Sequence, residues 1–208
     1  FFRSVYFRFI YKDKLVQRLT RHLDGRPEVF FVQIGSNDGV VFDPLRKLIL
    51  KNTSWRGIFV EPVSFIFERL KANYDNDSRF IFENSAINSD GKPMEFYYVS
   101  PEAAKYIDLP EHGNLLGAFD REHIIGNLGK AIEPYLVAEM MNCLTLPGLL
   151  EKHAVKRFDV LHIDTEGYDL KILSQLDVAR YKPEVILVEY ICLEPADRVK
   201  MKNLLTDN

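Results

Sequence analysis

The sequence contains only two cysteines, Cys143 and Cys192, too few for a disulfide framework. It has no apolar run near the ~18–20 residues that a membrane-spanning helix needs, and no segment with the layout of a signal peptide. Its net charge is −3, so it lacks the basic excess with which a dedicated nucleic-acid-binding protein neutralises phosphates. These absences favour a cytoplasmic protein with no transmembrane segment and no nucleic-acid partner.

The length bounds the number of domains. A chain of 208 residues can bury roughly 70% of its unfolded surface, which is enough for a self-supporting core. We therefore expect one domain over residues 1–208, without internal repeats or low-complexity tracts. Because the chain begins with Phe1 and not with methionine, we treat it as a fragment.

Short apolar runs rich in β-branched and aromatic residues alternate with segments of helical periodicity. This alternation predicts an α/β fold, a three-layer αβα sandwich around a mainly parallel, Rossmann-like sheet. The predicted core strands are 29–34, 57–61, 80–82, 159–163 and 184–189, with an edge or hairpin strand at 93–99. The predicted helices are 13–23, 41–50, 65–74, 146–153, 170–176 and 195–205.

Polar residues follow the core strands, at the edge where parallel sheets bind their ligands. They are Gln33 to Gly39, Glu61-Pro62, Glu83 to Ala86, Asp164 to Gly167, and Glu189. Since the strand bodies are almost wholly apolar, we expect these polar groups to converge on one site.

The loop after the first core strand carries Gly35 and Gly39, which allow a sharp turn and close approach to a ligand. It matches neither the dinucleotide fingerprint G-x-G-x-x-G nor a phosphate-binding P-loop. Asn37 and Asp38 stand where a pyrophosphate would need bare amides, and an aspartate suits a cationic amine or sulfonium. A simple tight turn remains the alternative interpretation.

Glu61 ends the second core strand, where a carboxylate can accept hydrogen bonds from the hydroxyls of an adenosine ribose. The alternative is an ordinary solvated carboxylate at a strand end. Together with the glycine loop, the ribose interpretation is favoured.

These segments, with 84–91 and 161–169, resemble the FkbM family of S-adenosylmethionine-dependent methyltransferases. The resemblance runs from about residue 29 to 189, and its most specific part is Ile163-Asp164-Thr165-Glu166-Gly167 followed by Val188-Glu189. The chain departs from the family at Gln33, where many members have an acidic residue. A glutamine can accept a hydrogen bond from an amine there but carries no charge.

The resemblance implies S-adenosylmethionine as cofactor, with its methionine part in the glycine loop, its ribose on Glu61 and its adenine along residues 84–86. The implied cofactor-binding residues are Gln33, Gly35, Ser36, Asn37, Asp38, Gly39, Glu61, Pro62, Asn84, Ser85, Ala86 and Asp164. It also implies a seven-stranded sheet that closes with an antiparallel hairpin. Too few residues follow Tyr190 to build that hairpin, so we expect it to be truncated.

Methyl transfer to a hydroxyl needs a group that takes up a proton. Asp164, beside the glycine loop, is the first candidate for this catalytic base, and Glu166 is a candidate orienting partner or substrate contact. Helix capping is the structural alternative for both residues. The alternative is that the two carboxylates hold a divalent ion together with acceptor hydroxyls. Because no histidine lies at a suitable ligand spacing, we predict no metal site.

The region 100–141 is too long for an ordinary connection, and we expect a partly helical insert on the substrate side of the cleft. Within it, His123 is a candidate catalytic or substrate-contacting residue, and Arg121 a candidate for binding a sugar or an anionic acceptor. Asp120 is expected to cap a helix. His162, inside an apolar strand, is expected to be a core residue.

Residues 1–24 form a predicted N-terminal helical extension, in which aromatic and basic residues alternate at the start. This segment is a candidate contact for a membrane surface or a protein partner, although packing on the domain is favoured.

The leading hypothesis is an S-adenosylmethionine-dependent O-methyltransferase acting on a hydroxyl of a sugar, a glycan or a small natural product. A nicotinamide-dinucleotide oxidoreductase and a non-catalytic binding module of a glycan or surface-polysaccharide assembly are the alternatives.

Overall fold

The computed structural model describes residues 4–8, 12–23, 25–189 and 193–206. The strands are β1 (Ser4–Arg8), β2 (Phe30–Ile34), β3 (Arg56–Val60), β4 (Phe80–Glu83), β5 (Ala86–Ile87), β6 (Met94–Val99), β7 (Gly117–Ala118), β8 (Leu136–Met141), β9 (Cys143–Leu144), β10 (Val160–Ile163) and β11 (Val185–Glu189). The α-helices are α1 (Lys12–Leu23), α2 (Arg46–Lys51), α3 (Ser64–Asn73), α4 (Arg121–Leu128), α5 (Leu146–Lys152), α6 (Asp169–Leu173), α7 (Val178–Tyr181) and α8 (Pro195–Thr206). Short 3₁₀ helices cover Ala103–Lys105, Gly113–Leu115 and Lys130–Tyr135.

The central sheet has the order β1-β11-β10-β2-β3-β4, and every neighbouring pair is parallel. Side chains alternate between its two faces: Val32 and Ile34 pack into one apolar layer, whereas Phe31 and Phe59 pack into the other around Trp55. Helices cover both faces, so the predicted α/β fold with a mainly parallel, Rossmann-like sheet is confirmed.

The topological switch point of the sheet, where the strand order reverses, lies between β2 and β10. From β2 the chain adds β3 and β4 on one side, and β10 and β11 lie on the other. The register pairs Ile34 with Ile163, so the loops that begin at Gly35 and Asp164 leave the sheet side by side. Ligands of open α/β sheets bind in the crevice at such a reversal.

The N-terminal segment is not helical throughout. Helix α1 confirms the helix predicted at 13–23, but Ser4–Arg8 forms strand β1, which runs parallel to β11. In the described residues, β1 therefore takes the edge where a methyltransferase sheet has its antiparallel hairpin. The rest of the aromatic and basic segment, residues 1–3 and 9–11, lies outside the described residues.

The predicted insert at 100–141 is partly helical, but it also contains strands that the sequence did not predict. Strands β7 and β8 flank β6 in an antiparallel sheet of order β7-β6-β8, so β6 is a central strand and not an edge. Helix α4 packs on this small sheet through Ile124 and Ile125. Asp120 caps α4 through a bond from Glu122 N, as predicted. Among the residues described, no helix combines the length and apolar character needed to cross a membrane.

Candidate active site

A cavity of about 480 Å³ lies at the reversal of the sheet. Such a volume is within the usual range for small-molecule sites. Its walls come from the loops after β2, β3, β4 and β10, from the end of β11, and from the insert. The predicted site residues that line it are Gln33, Gly35, Ser36, Asn37, Glu61, Pro62, Ser85, Ala86, Asp164 and Glu166. Asp38, Gly39, Asn84 and His123 are not among the lining residues.

The glycine loop uses all its backbone N–H groups inside the protein. Gly35 and Ser36 donate to Val60 O at 3.1 and 2.9 Å, Asn37 to Glu61 Oε2 at 3.0 Å, Asp38 to Asn37 Oδ1 at 2.8 Å, and Gly39 to Ser36 O at 3.1 Å. A phosphate-binding loop instead points free amides at its ligand. This loop is consequently not a pyrophosphate cradle.

Gly35 allows a close approach between protein segments. Its φ is +74°, and a Cβ added there would lie 1.9 Å from the carbonyl oxygen of Asp164. Gly39, at φ +69°, leaves room for the side chains of Tyr74 and Leu70. The predicted sharp turn is present. At both glycines it is neighbouring protein atoms, and not the approach of a ligand, that exclude a side chain.

The Asp38 carboxylate serves the loop itself. Its Oδ1 accepts from Val40 N and Val41 N at 2.9 Å each. Asn37 donates from Nδ2 to the carbonyl oxygen of Leu115 at 3.2 Å and so ties the glycine loop to the insert.

Glu61 connects the ends of two strands. Its Oε2 accepts from Asn37 N and its Oε1 from Val63 N, both at 3.0 Å, and the residue is 6% exposed. Burial raises the pKa of Glu61 to about 7, and the charge of Asp38 adds to the increase, although the two backbone hydrogen bonds oppose it. Each carboxylate oxygen keeps a lone pair for a ligand hydroxyl.

The loop after β4 splits between structural and cavity-facing residues. Glu83 turns away from the cavity and binds Lys152 Nζ and His153 Nε2, at 2.9 and 2.8 Å, so not every polar strand end converges on the site. Asn84 donates from Nδ2 to the carbonyl oxygens of Glu61 and Pro62 at 2.8 and 2.9 Å. Ser85 lines the cavity.

The loop after β10 holds Asp164 and Glu166 at the cavity wall. Glu166 has φ +51°, and buried Asp169 supports the turn by accepting from Thr165 N, Thr165 Oγ1 and Gly167 N at 3.2–3.3 Å. Tyr168 is the N-cap of α6 and makes no side-chain cap bond. Neither Asp164 nor Glu166 is therefore the N-cap residue of α6.

Three carboxyl groups meet in this wall, because oxygens of Asp164, Glu166 and Glu189 lie within 4.8 Å of one another. Burial, reinforced by the charge of Glu189, raises the pKa of Asp169 behind them to about 7.

His123 reaches this wall from the insert. Its Nε2 lies 2.9 Å from Glu166 Oε2 and 3.0 Å from Asn127 Nδ2. The bond to Glu166 raises the pKa of His123. His123 does not line the cavity, and it meets the wall through Glu166. Its predicted catalytic or substrate-contacting role stays a prediction.

Several lining residues were missed by sequence reasoning, namely Phe42, Asp43, His112, Leu115, Phe119 and Asn127. Phe42 and Asp43 follow the glycine loop directly, and that position was a usable signal. The insert residues carry no periodic or spacing signal. His162, expected in the core, is 4% exposed and lines the cavity.

The raised pKa values predict how stability depends on pH. Glu61 and Asp169 have folded-state pKa values of about 7, above their ordinary values of 4.5 and 3.8. The folded protein therefore holds protons that the unfolded chain releases, and this stabilisation is complete below the ordinary values and lost as pH rises through 7. We expect the free energy of unfolding of the ligand-free protein to fall between about pH 5.5 and 7.5, measured by urea titration. Asp169→Asn should reduce that fall, and a rise in stability over this range would contradict the assignment.

A comparison with protein families agrees with the α/β fold and with the position of the cavity. The model of the family described as the methyltransferase FkbM domain matches residues 33–202. A search of curated proteins and a search of solved structures each find no match. The matched segment starts at Gln33 on the cavity wall and extends through the four cavity-forming loops, the insert and the end of β11 into α8. The chain belongs to the FkbM family of methyltransferases.

Proposed function

We propose that this methyltransferase uses S-adenosylmethionine to methylate a hydroxyl group, on a sugar, a glycan or a small natural product. The observation that carries the proposal is the glycine loop, whose amides are all used internally. Such a loop, with the acidic neighbours Glu61 and Asp164 on the cavity wall, suits a cationic ligand but offers no amides to a pyrophosphate. The nicotinamide-dinucleotide alternative loses its main binding element for that reason.

The cavity contains polar groups suited to this donor. Gln33, 1% exposed, has an Oε1 atom with no hydrogen-bond partner among the described residues, and the same holds for Ser85 Oγ, in a residue 5% exposed. Buried polar atoms of this kind are costly unless a ligand or water satisfies them. Gln33 would accept from the donor ammonium, Glu61 would hold the ribose hydroxyls, and Ser85 with Ala86 would lie along the adenine.

The acceptor would approach from the other side of the reversal, where Asp164, Glu166 and Glu189 form the wall. The bound donor supplies an activated methyl group on a sulfonium. Asp164 takes the proton of the acceptor hydroxyl as the oxygen becomes nucleophilic. Glu166, held by His123 at 2.9 Å, orients the acceptor through a further hydrogen bond.

Two measurements test the proposal. S-adenosylmethionine or its demethylated product should raise the melting temperature through selective binding to the folded state. A labelled-methyl screen over sugars, glycan fragments and polyketide alcohols should then find an acceptor. Absence of a thermal shift at millimolar ligand, with the fold intact, would overturn the proposal. Donor binding without transfer to any acceptor would favour the non-catalytic alternative.

Glu61 gives a specific prediction for donor affinity. Glu61→Gln should weaken donor binding by about 10–100-fold, since it removes charge-assisted hydrogen bonds. Because the pKa of Glu61 is about 7, protonation should also weaken binding to the wild-type protein as pH falls from about 8 to 6. Isothermal titration calorimetry at several pH values measures both effects.

The matched control is Glu68→Gln, an exposed glutamate on α3 that should change neither affinity nor its pH dependence. Equal affinity of the Glu61 variant and the wild type would place the ribose elsewhere. The cytoplasmic location was inferred from the scarcity of cysteine and stays a prediction. The proposed partners also stay predictions.

A further inference from the structure

The charged side chains on the cavity wall are predominantly acidic. Carboxyl groups line it at five positions, Asp43, Glu61, Asp164, Glu166 and Glu189, and its described lining residues include neither lysine nor arginine. Two arginines near the cavity, Arg121 and Arg46, bind groups that are not part of its lining. Arg121 pairs with Glu122 and Glu133 at 3.0 and 3.1 Å. Arg46 donates to Gly39 O at 3.1 Å and lies over the Tyr74 ring. Among the described wall residues, no lysine or arginine is placed to neutralise an anionic acceptor.

Aromatic rings line the same cavity as these acids. Phe42 lines the cavity with 39% of its surface exposed, and its ring centroid lies 5.5 Å from that of His112, at an interplanar angle of 46°. We call this pair the Phe42–His112 shelf. It joins the glycine-loop side of the cavity to the insert.

Phe42 occupies an unfavourable backbone conformation. Its φ is +63°, a region that bulky residues rarely adopt and where asparagine or glycine would be expected. Strain of this kind is concentrated at ligand-binding positions, where the surrounding structure maintains it. Phe42 therefore presents a partly exposed ring at the cavity wall, which a ligand ring can contact.

We propose that the acceptor is an uncharged polyhydroxylated ring, a neutral sugar, whose apolar face stacks on the Phe42–His112 shelf while its hydroxyls donate to the Asp164, Glu166 and Glu189 carboxylates. This inference rests on the proposed function. Carboxylates only accept hydrogen bonds, so hydroxyl groups are their natural partners. Sugar rings present C–H groups on one face, and these pack on aromatic rings. A carboxylate or phosphate on the acceptor would meet like charge in a partly dehydrated space.

The test uses matched probes in place of the unidentified acceptor. Methyl glucopyranoside and methyl glucuronide differ only in the carboxylate, and saturation-transfer NMR with the donor product bound measures their contact with the protein. We expect signals for the neutral sugar and at least about tenfold weaker binding of the glucuronide. Phe42→Ala should abolish the neutral sugar's signals, whereas Phe42→Tyr should retain them.

Tyr106→Ala provides the matched control, because Tyr106 is an aromatic of the insert that is 69% exposed, stacks on Tyr135 and lies outside the cavity lining. Binding of the neutral sugar should survive this change. Equal or tighter binding of the glucuronide, unchanged sugar binding in Phe42→Ala, or no binding of the neutral sugar would each overturn the inference. Donor thermal shift and methyl transfer to a different acceptor could persist in all these cases, so the proposed function fails separately.

Discussion

Replacement of Asp164 by alanine is expected to lower turnover by roughly 10²–10⁴-fold, the usual contribution of a general base. Asp164 lies at the end of β10, on the cavity wall and directly beside the glycine loop. Its backbone N–H bonds to Ile34 O at 3.0 Å, so the main chain stays anchored when the side chain is removed. Single-turnover measurement of labelled-methyl transfer, with donor saturating, reports the chemical step.

Donor affinity separates this role from a structural one. If Asp164 acts as the base, the thermal shift given by S-adenosylmethionine should change little in Asp164→Ala, and Asp164→Asn should be as slow as the alanine variant. Replacement of His123 by alanine should have a smaller effect on turnover, because His123 does not line the cavity and contacts Glu166 behind its wall. Turnover of the Asp164 variants near the wild-type level would show that another group takes the proton.

The second large effect is expected at Gly35. An alanine Cβ would lie 1.9 Å from Asp164 O, in a backbone conformation with φ +74° that side chains disfavour. Because the obstructing atom is backbone, relief requires β2 and β10 to separate. We expect Gly35→Ala to cost more than about 3 kcal/mol of the free energy of unfolding, and to abolish donor binding in any folded fraction.

Two other glycines serve as graded controls. Gly25 has φ +78°, and no described residue lies within 4 Å of the position of an added Cβ, so Gly25→Ala should show backbone strain alone, about 1 kcal/mol. Gly126 lies inside α4, and an added Cβ would again meet no atom of the described residues within 4 Å, so Gly126→Ala should be stabilising by about 0.5–1 kcal/mol. Urea unfolding of the three variants measures the series. A loss at Gly35 no greater than at Gly25 would exclude the collision.

The central strands could be predicted from sequence because parallel strands buried on both faces carry continuous apolar runs. Strands β2, β3, β10 and β11 start within one residue of their predicted positions. Strand β8 gave no such signal, since residues 138–140 are exposed in succession and do not alternate. Strand β1 was read as helix because its partner, β11, lies at the other end of the sequence.

The candidate site likewise contains residues that could be predicted from the sequence and residues that could not. Residues at strand ends were predictable, because connectivity alone brings the ends of parallel strands to one edge. The direction of a side chain was not: Glu83 turns toward Lys152 in the last turn of α5 and toward its C-cap residue His153, a pairing that no local pattern encodes. The shelf residues Phe42 and His112 meet only after the insert folds over the cavity.

The order of strands also bears on how the chain acquires its activity during synthesis. Strands β2, β3 and β4 are sequence neighbours and can pair early. More than one hundred residues separate β2 from β10, so this pair forms only late in synthesis. Until then one edge of β2 is open, and β1 must wait still longer for β11. Contacts between distant residues form slowly, and unpaired strand edges promote aggregation. We therefore expect the nascent chain to depend on chaperones until β10 emerges, and the cavity to form only with its arrival.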